Sequence, residues 1–167
     1  MNRWLEILKS NNYDAAKKYI QEGTEVNEEN ESGESVLAYA LRYRCSKDLL
    51  ELLINNGADI FDFDNEGVSI FDMAVTYNNL WMAQYLVEKG VNVNETKRRS
   101  GFTPLMAASC YGRNDIVVFL LENAADINCV DLKGFSAIDF ARKMNKKSVL
   151  KLLDYDEHTP KNSAHAR

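Results

Sequence analysis

The sequence predicts an all-α solenoid of about five helix-turn-helix units joined by short hairpin-like loops. Two observations carry that prediction. Four glycines, Gly33, Gly67, Gly101 and Gly134, are separated by 34, 34 and 33 residues. Three apolar registers then keep step with them. An alanine stands seven positions after each glycine (Ala40, Ala74, Ala108, Ala141) and a large apolar residue four positions after (Leu37, Phe71, Leu105, Ile138). A leucine stands nineteen positions after (Leu52, Leu86, Leu120, Leu153). A unit of this length cannot bury its apolar face alone, so repetition at one period means stacked units sharing a continuous core.

The elements follow in order along the chain. The first unit begins with a helix carrying Trp4, Leu5, Ile7 and Leu8, turns at Asn11-Asn12, and continues through Ala15, Ala16, Tyr19 and Ile20. A second marker then recurs: Gly23-Thr-Glu-Val-Asn27, Gly57-Ala-Asp-Ile-Phe61, Gly90-Val-Asn-Val-Asn94 and Ala124-Ala-Asp-Ile-Asn128. Each copy follows an amphipathic stretch, where a left-handed residue ends a helix. The unit therefore reads as helix, short turn, second helix, longer loop. The small alanines let neighbouring units approach, and the leucines at nineteen seal the layer between them. The approximate boundaries are 3–29, 30–63, 64–96, 97–130 and 131–155, one domain over 1–155. Residues 156–167, with His158, Pro160, Asn162 and Ser163 but no large apolar residue, read as a loose tail.

The segment Ser100-Gly101-Phe102-Thr103-Pro104-Leu105-Met106-Ala107-Ala108, followed by Gly112 and Ile116-Val-Val-Phe-Leu-Leu121, resembles an ankyrin repeat. Thr103 would cap the first helix and Pro104 would occupy its first turn. Ser35-Val36-Leu37, Ser69-Ile70-Phe71 and Ser136-Ala137-Ile138 stand in the other units for the family's Thr-Pro-Leu. The histidine usual in that family is replaced by Ala38, Asp72, Met106 and Asp139, so its hydrogen bonds must be missing or remade. The turn between the helices calls for a left-handed residue; Gly112, Asn78 and Asn145 suit it, and Arg44 departs from the pattern. The resemblance covers residues 3–155 and is similar to small, stand-alone bacterial ankyrin proteins. It implies a non-catalytic module that binds a protein partner in the concave groove of the stack.

Composition narrows the function classes. With 167 residues, 46% of them hydrophobic and 27% charged, the chain fits one compact domain and excludes collagen, low-complexity disorder and a disulfide scaffold. The 20 basic and 25 acidic residues give a net charge of −5, which argues against a strongly basic nucleic-acid binder. No apolar run nears the roughly 20 residues of a membrane helix. Glu6 and Lys9 would interrupt the apolar core of a signal peptide, so a cytoplasmic location is expected, and a monomer. The cysteines, Cys45, Cys110 and Cys129, form no CxxC pair and read as reduced thiols. Both histidines, His158 and His165, lie in the tail. With no phosphate-binding glycine loop, nucleophile elbow or histidine dyad, neither an enzyme nor a bound cofactor is expected.

Three segments invite sharper readings. Asp62-Phe-Asp64-Asn-Glu66-Gly67 resembles the start of a calcium loop, but its twelfth position is Met73 where a bidentate Glu is needed. Asn30-Glu-Ser32 and Asn94-Glu-Thr96 match a glycosylation acceptor, yet both fall in loops between units, where a structural asparagine is expected. Lys97-Arg98-Arg99-Ser100 is the compact basic run: a solvated loop, or an electropositive contact for an acidic partner through Arg98 and Arg99, with Ser100 open to phosphorylation. Glu22, Glu25, Glu28, Glu29, Glu31 and Glu34 make the first two units acidic, whereas Lys143, Lys146, Lys147 and Lys151 make the last one basic. A stack polarised along its length would orient a partner.

The remaining signal lies at positions the repeat leaves free. In ankyrin units the groove is built from the loop tips and from positions one, nine and ten after the glycine. Position one holds Glu34, Val68, Phe102 and Phe135; position nine holds Arg42, Thr76, Cys110 and Lys143; position ten holds Tyr43, Tyr77, Tyr111 and Met144. The aromatic and apolar members, Tyr43, Val68, Tyr77, Phe102, Tyr111, Phe135 and Met144, are taken as the partner-binding surface, since Tyr and Met favour interface cores. Their positions are expected to be free of stacking duties. Two alternatives stay open: each tyrosine packs against its neighbour's first helix, or the column forms an aromatic cleft for a small molecule or cofactor. Trp81 is expected on the outer side of a second helix, partly covered.

Overall fold

The computed structural model describes residues 1–153, all helix and loop apart from three isolated antiparallel bridges. Residues 154–167, which include the expected tail and both histidines, lie outside the described residues. Ten helices are present among those described: α1 (Asn2–Lys9), α2 (Tyr13–Gln21), α3 (Val36–Arg42), α4 (Lys47–Asn55), α5 (Ile70–Thr76), α6 (Leu80–Glu88), α7 (Pro104–Tyr111), α8 (Asn114–Glu122), α9 (Ala137–Lys143) and α10 (Lys147–Leu152). They divide into two compact units, Met1–Met73 and a second beginning at Ala74.

Within each unit the packing alternates. In the first, α1 packs on α3 and α2 on α4; in the second, α7 packs on α9, α6 on α8 and α8 on α10. First helices thus stack on first helices and second on second. All four alanines at position seven are fully buried, which sets the close approach that larger side chains would prevent. The first unit's core is Trp4, Leu8, Leu37, Leu41, Leu49, Leu50 and Leu53; the second's includes Met82, Leu86, Leu105, Met106, Ile116, Val117 and Leu120. Each such burial contributes about 1.5–3 kcal/mol. Trp4 also satisfies its indole, donating to the carbonyl of Glu25 at 3.1 Å.

One stacking position departs from expectation. Leu52, nineteen after Gly33, is half-buried, and Leu53 is fully buried in its place. Gly33 and Gly57 are 24 residues apart, whereas Gly67 to Gly90 and Gly101 to Ala124 each span 23. The extra residue is Cys45, between the left-handed Arg44 and Ser46, the N-cap of α4. One inserted residue turns the helix register by about 100°, so the next leucine faces the core. Cys45 itself is buried, its thiol donating to the carbonyl of Leu8 at 3.3 Å.

The turns between paired helices share one conformation. Asn11, Arg44, Asn78, Gly112 and Asn145 all have φ between 48° and 67°. Arg44 therefore makes the same turn as the asparagines, because the packed helices on either side fix the backbone whatever the side chain prefers.

Three of the four residues that replace the histidine remake its hydrogen bonds. Thr103 caps α7 by accepting from Met106 N at 3.2 Å, and Met106 Sδ accepts from Thr103 N at 3.4 Å. Asp72 Oδ2 accepts from Ser69 N at 2.9 Å, and Asp139 Oδ2 accepts from Ser136 N at 2.8 Å. These are reciprocal capping boxes with a thioether or carboxylate in the return position. Ala38 has no polar atom to return the bond.

The loops carry the short hairpins, closed by antiparallel bridges at Glu29–Ser35, Phe63–Ser69 and Val130–Ser136. Asparagines tie successive loops within each unit. Asn27 donates to the Gly57 carbonyl at 2.9 Å and accepts from Asp59 N at 2.8 Å. Asn94 repeats this with Ala124 at 3.0 Å and Asp126 at 2.8 Å.

Candidate protein-binding surface

In the first unit, Tyr43 caps the C-terminus of α3 and stacks on Tyr39, ring centroids 6.0 Å apart. The Lys9 ammonium lies 5.8 Å from its ring. Glu34 is buried and paired with Arg42, whose guanidinium sits 5.1 Å from the Tyr39 ring. Burial, with Glu34 beside it, pushes the Tyr39 phenol up. Position one is therefore a structural ion pair here, and Val68 is half-buried. Of the expected acidic cluster, Glu28 pairs with the chain's amino terminus and Glu22 with Arg3 at 2.9 Å.

The second unit holds the other five candidate residues. Tyr111 ends α7 and Met144 caps α9; they are 45% and 46% exposed, and Phe135 is 48% exposed. Tyr77 and Phe102 are half-buried. Phe102 is not free of packing, as its position suggests: its ring meets Phe140 edge-on at 5.0 Å, and the Arg98 guanidinium lies 5.1 Å over it. Phe135 meets the same Phe140 at 6.1 Å. Phe140, missed in the sequence, stands six positions after Gly134, in register with Tyr39, Met73 and Ala107. Two large aromatics at that register were the signal that would have found it.

A cavity of about 410 Å³ opens beside this cluster, lined among the described residues by Phe135, Asp139, Phe140, Arg142 and Lys143. Arg113 fixes the neighbouring turn, its guanidinium donating twice to the Thr76 carbonyl at 2.8 and 3.1 Å while lying 5.8 Å from the Tyr111 ring. Burial pushes the Cys110 thiol up, partly offset by the ammonium groups of Lys146 and Lys143. Arg99 and Ser100 are exposed in their loop, Ser100 Oγ accepting from Phe102 N at 3.3 Å. Trp81 is half-buried on α6, stacked on Tyr85 at 5.6 Å.

The segments with sharper readings are occupied by local bonds. Asp64 Oδ1 accepts from Glu66 N and Val68 N, both at 2.9 Å, and Asp62 Oδ1 from Phe63 N at 2.8 Å. Asn30 accepts from Ser32 N and Glu34 N and donates to the Tyr39 hydroxyl, all at 2.9 Å. No group of three metal-ligating side chains converges among the described residues. No helix among them is long and apolar enough to cross a membrane.

Comparison with known proteins agrees with this architecture. A family model described as ankyrin repeats in three copies matches residues 5–97, and a single ankyrin-repeat model matches 100–132. A putative ankyrin repeat protein of fowlpox virus is 31% identical over 157 residues, 89% of this chain and 46% of that protein. A putative ankyrin repeat protein of Rickettsia bellii is 30% identical over 117 residues, 70% of this chain and 64% of the relative. The E3 ubiquitin-protein ligase hecd-1 of Caenorhabditis elegans is 32% identical over 104 residues, 62% of this chain but 4% of that ligase. The chain thus spans less than two thirds of these relatives' lengths. Ankyrin repeats are generally protein–protein interaction modules. The stacked helix pairs, the left-handed turns and both family models agree, and this chain belongs to the ankyrin-repeat family.

Proposed function

We propose that the protein is a non-catalytic interaction module that binds a protein partner through the groove of its ankyrin stack. The observation that carries this is the exposure of Tyr111, Phe135 and Met144, each close to half open to solvent at positions the core does not need. An exposed aromatic on a rigid frame suits an interface, because it can be buried with little loss of conformational freedom. A cytoplasmic location fits three free thiols.

The test is affinity capture from the source cells with the full chain as bait. Tyr111→Ala with Phe135→Ala is the better perturbation, because Phe135 is 48% exposed and meets Phe140 at 6.1 Å, whereas Phe102 is half-buried and packs on it more closely, at 5.0 Å. Two central anchors at about 2 kcal/mol each would weaken binding about a thousandfold. Trp81→Ala should leave capture unchanged. A double variant that melts like the wild type and captures the same partners overturns the groove assignment.

A further inference from the structure

We propose that the second unit's face takes an acidic peptide segment carrying one large apolar residue, the apolar residue seated against Phe135 and Phe140 and the carboxylates meeting Lys143 and Lys146. The inference rests on the groove reading above and names the class of its partner.

Shape and charge coincide at this place. The cavity beside Phe135 and Phe140, about 410 Å³, is of a size to take one large side chain, and Lys143 is part of its wall. Lys146, the N-cap of α10, extends this basic edge towards Tyr111. A Cβ built on Gly112 would lie 3.1 Å from Lys146 Cδ and 3.6 Å from its Nζ, so the lysine stem crosses the turn that follows Tyr111. Both ammonium groups also act on the Cys110 thiol. Neither lysine has an ion-pair partner among the described residues.

The carboxylates in the same region are committed to the backbone. Asp139 Oδ2 accepts from Ser136 N at 2.8 Å and Ser136 Oγ at 3.0 Å. Asp131 Oδ1 accepts from Lys133 N and Phe135 N, both at 2.9 Å. They hold the loop that presents Phe135, and neither is paired with Lys143 or Lys146. A basic, aromatic patch on a chain of net charge −5 attracts an acidic segment locally and disfavours a polyanion as a whole. Met144, exposed at the end of α9, adds an apolar contact suited to an aliphatic or aromatic side chain rather than to a base.

The experiment is a selection of displayed random dodecapeptides on the immobilised full chain, with a single-stranded oligonucleotide titrated in parallel. The selected sequences should place two or more Asp or Glu beside a Leu, Phe, Met or Trp. A fluorescein-labelled winner should bind about tenfold more weakly to Phe135→Ala. It should bind roughly threefold or more weakly to Lys143→Glu or Lys146→Glu, with an affinity that falls as salt rises. Replacing its acids by Asn and Gln should have the same effect. Lys143 is exposed and Lys146 half-buried, and a thermal melt by circular dichroism checks that each variant keeps the fold. Neutral or basic winners that still need Tyr111 and Phe135 would overturn the acidic class and leave the groove reading standing. Winners indifferent to every groove variant would overturn both, as would a selection with no binder at micromolar concentration. Tight binding of the oligonucleotide alone would assign the face to nucleic acid instead.

Discussion

Gly112 offers a measurement of how strongly the stack imposes its turns. It sits at φ 67° and ψ 38°, and the equivalent turns hold Asn11, Arg44, Asn78 and Asn145 at φ 48–58°. Asparagine therefore already tolerates this conformation here. Gly112→Asn and Gly112→Val add the same Cβ, which would meet Lys146 Cδ at 3.1 Å and Cε at 3.4 Å. That contact is with a flexible side chain, and both variants lose the same unfolded-state freedom of glycine, about 0.4–1 kcal/mol in their favour. The difference between them thus isolates the conformational cost. Asparagine visits the left-handed region readily, whereas a β-branched residue there is a true outlier costing about 1–3 kcal/mol. Gly112→Asn should fall within about 1 kcal/mol of wild type, and Gly112→Val should be less stable than Gly112→Asn by about 1 kcal/mol or more. At this chain length each kcal/mol moves the melting temperature by about 2–4 °C. Parallel urea and thermal unfolding followed by circular dichroism reads both. Equal stability of the two variants would refute the reasoning, since the packed helices would then not be holding this backbone.

Two further outcomes follow from buried polar atoms. Ser109 is fully buried in α7 and its hydroxyl has no hydrogen-bond partner among the described residues, so Ser109→Ala should stabilise the protein by about 1 kcal/mol, read as a higher urea midpoint; a loss of stability would show the hydroxyl to be bonded. Burial pushes the Cys45 thiol up to about 11 from an ordinary 9.0. The folded state therefore holds this proton where the unfolded chain releases it, and stability should fall as pH rises through that window, a fall that Cys45→Ala removes.

The period of the fold was legible because stacking positions tolerate little. Ala40, Ala74, Ala108 and Ala141 can only be small, and all four are fully buried. The register of α4 was not legible from the same count. The spacing of Gly33 and Gly57 shows one residue more than in the later units, but nothing in the composition of Arg44-Cys45-Ser46 marks where it stands, and the burial of Leu53 in place of Leu52 shows that it precedes α4. Arg44 shows the complementary limit. Its propensity opposes a left-handed turn, and the helices packed on either side override it.

The candidate surface was legible by position and not by contact. Counting from the glycine finds Phe102 and Phe135, but their different environments depend on Phe140, which reaches both across the loop. Phe102 is drawn into packing and Phe135 is left nearly half exposed, although the repeat assigns them the same place. The lysines show the same point. In the sequence Lys143 and Lys146 are two members of a basic terminal unit, expected to help orient a partner by the charge of that end. Folding sets one into the wall of the cavity beside Phe135 and Phe140 and lays the other across the turn after Tyr111. Solvated charge far from apolar surface offers little beyond solubility, whereas an ammonium beside exposed aromatic rings selects for a ligand that brings both an anion and a hydrophobic side chain. That pairing arises only when α9 and α10 are stacked on α7 and α8, which is why it had to be read from the folded chain.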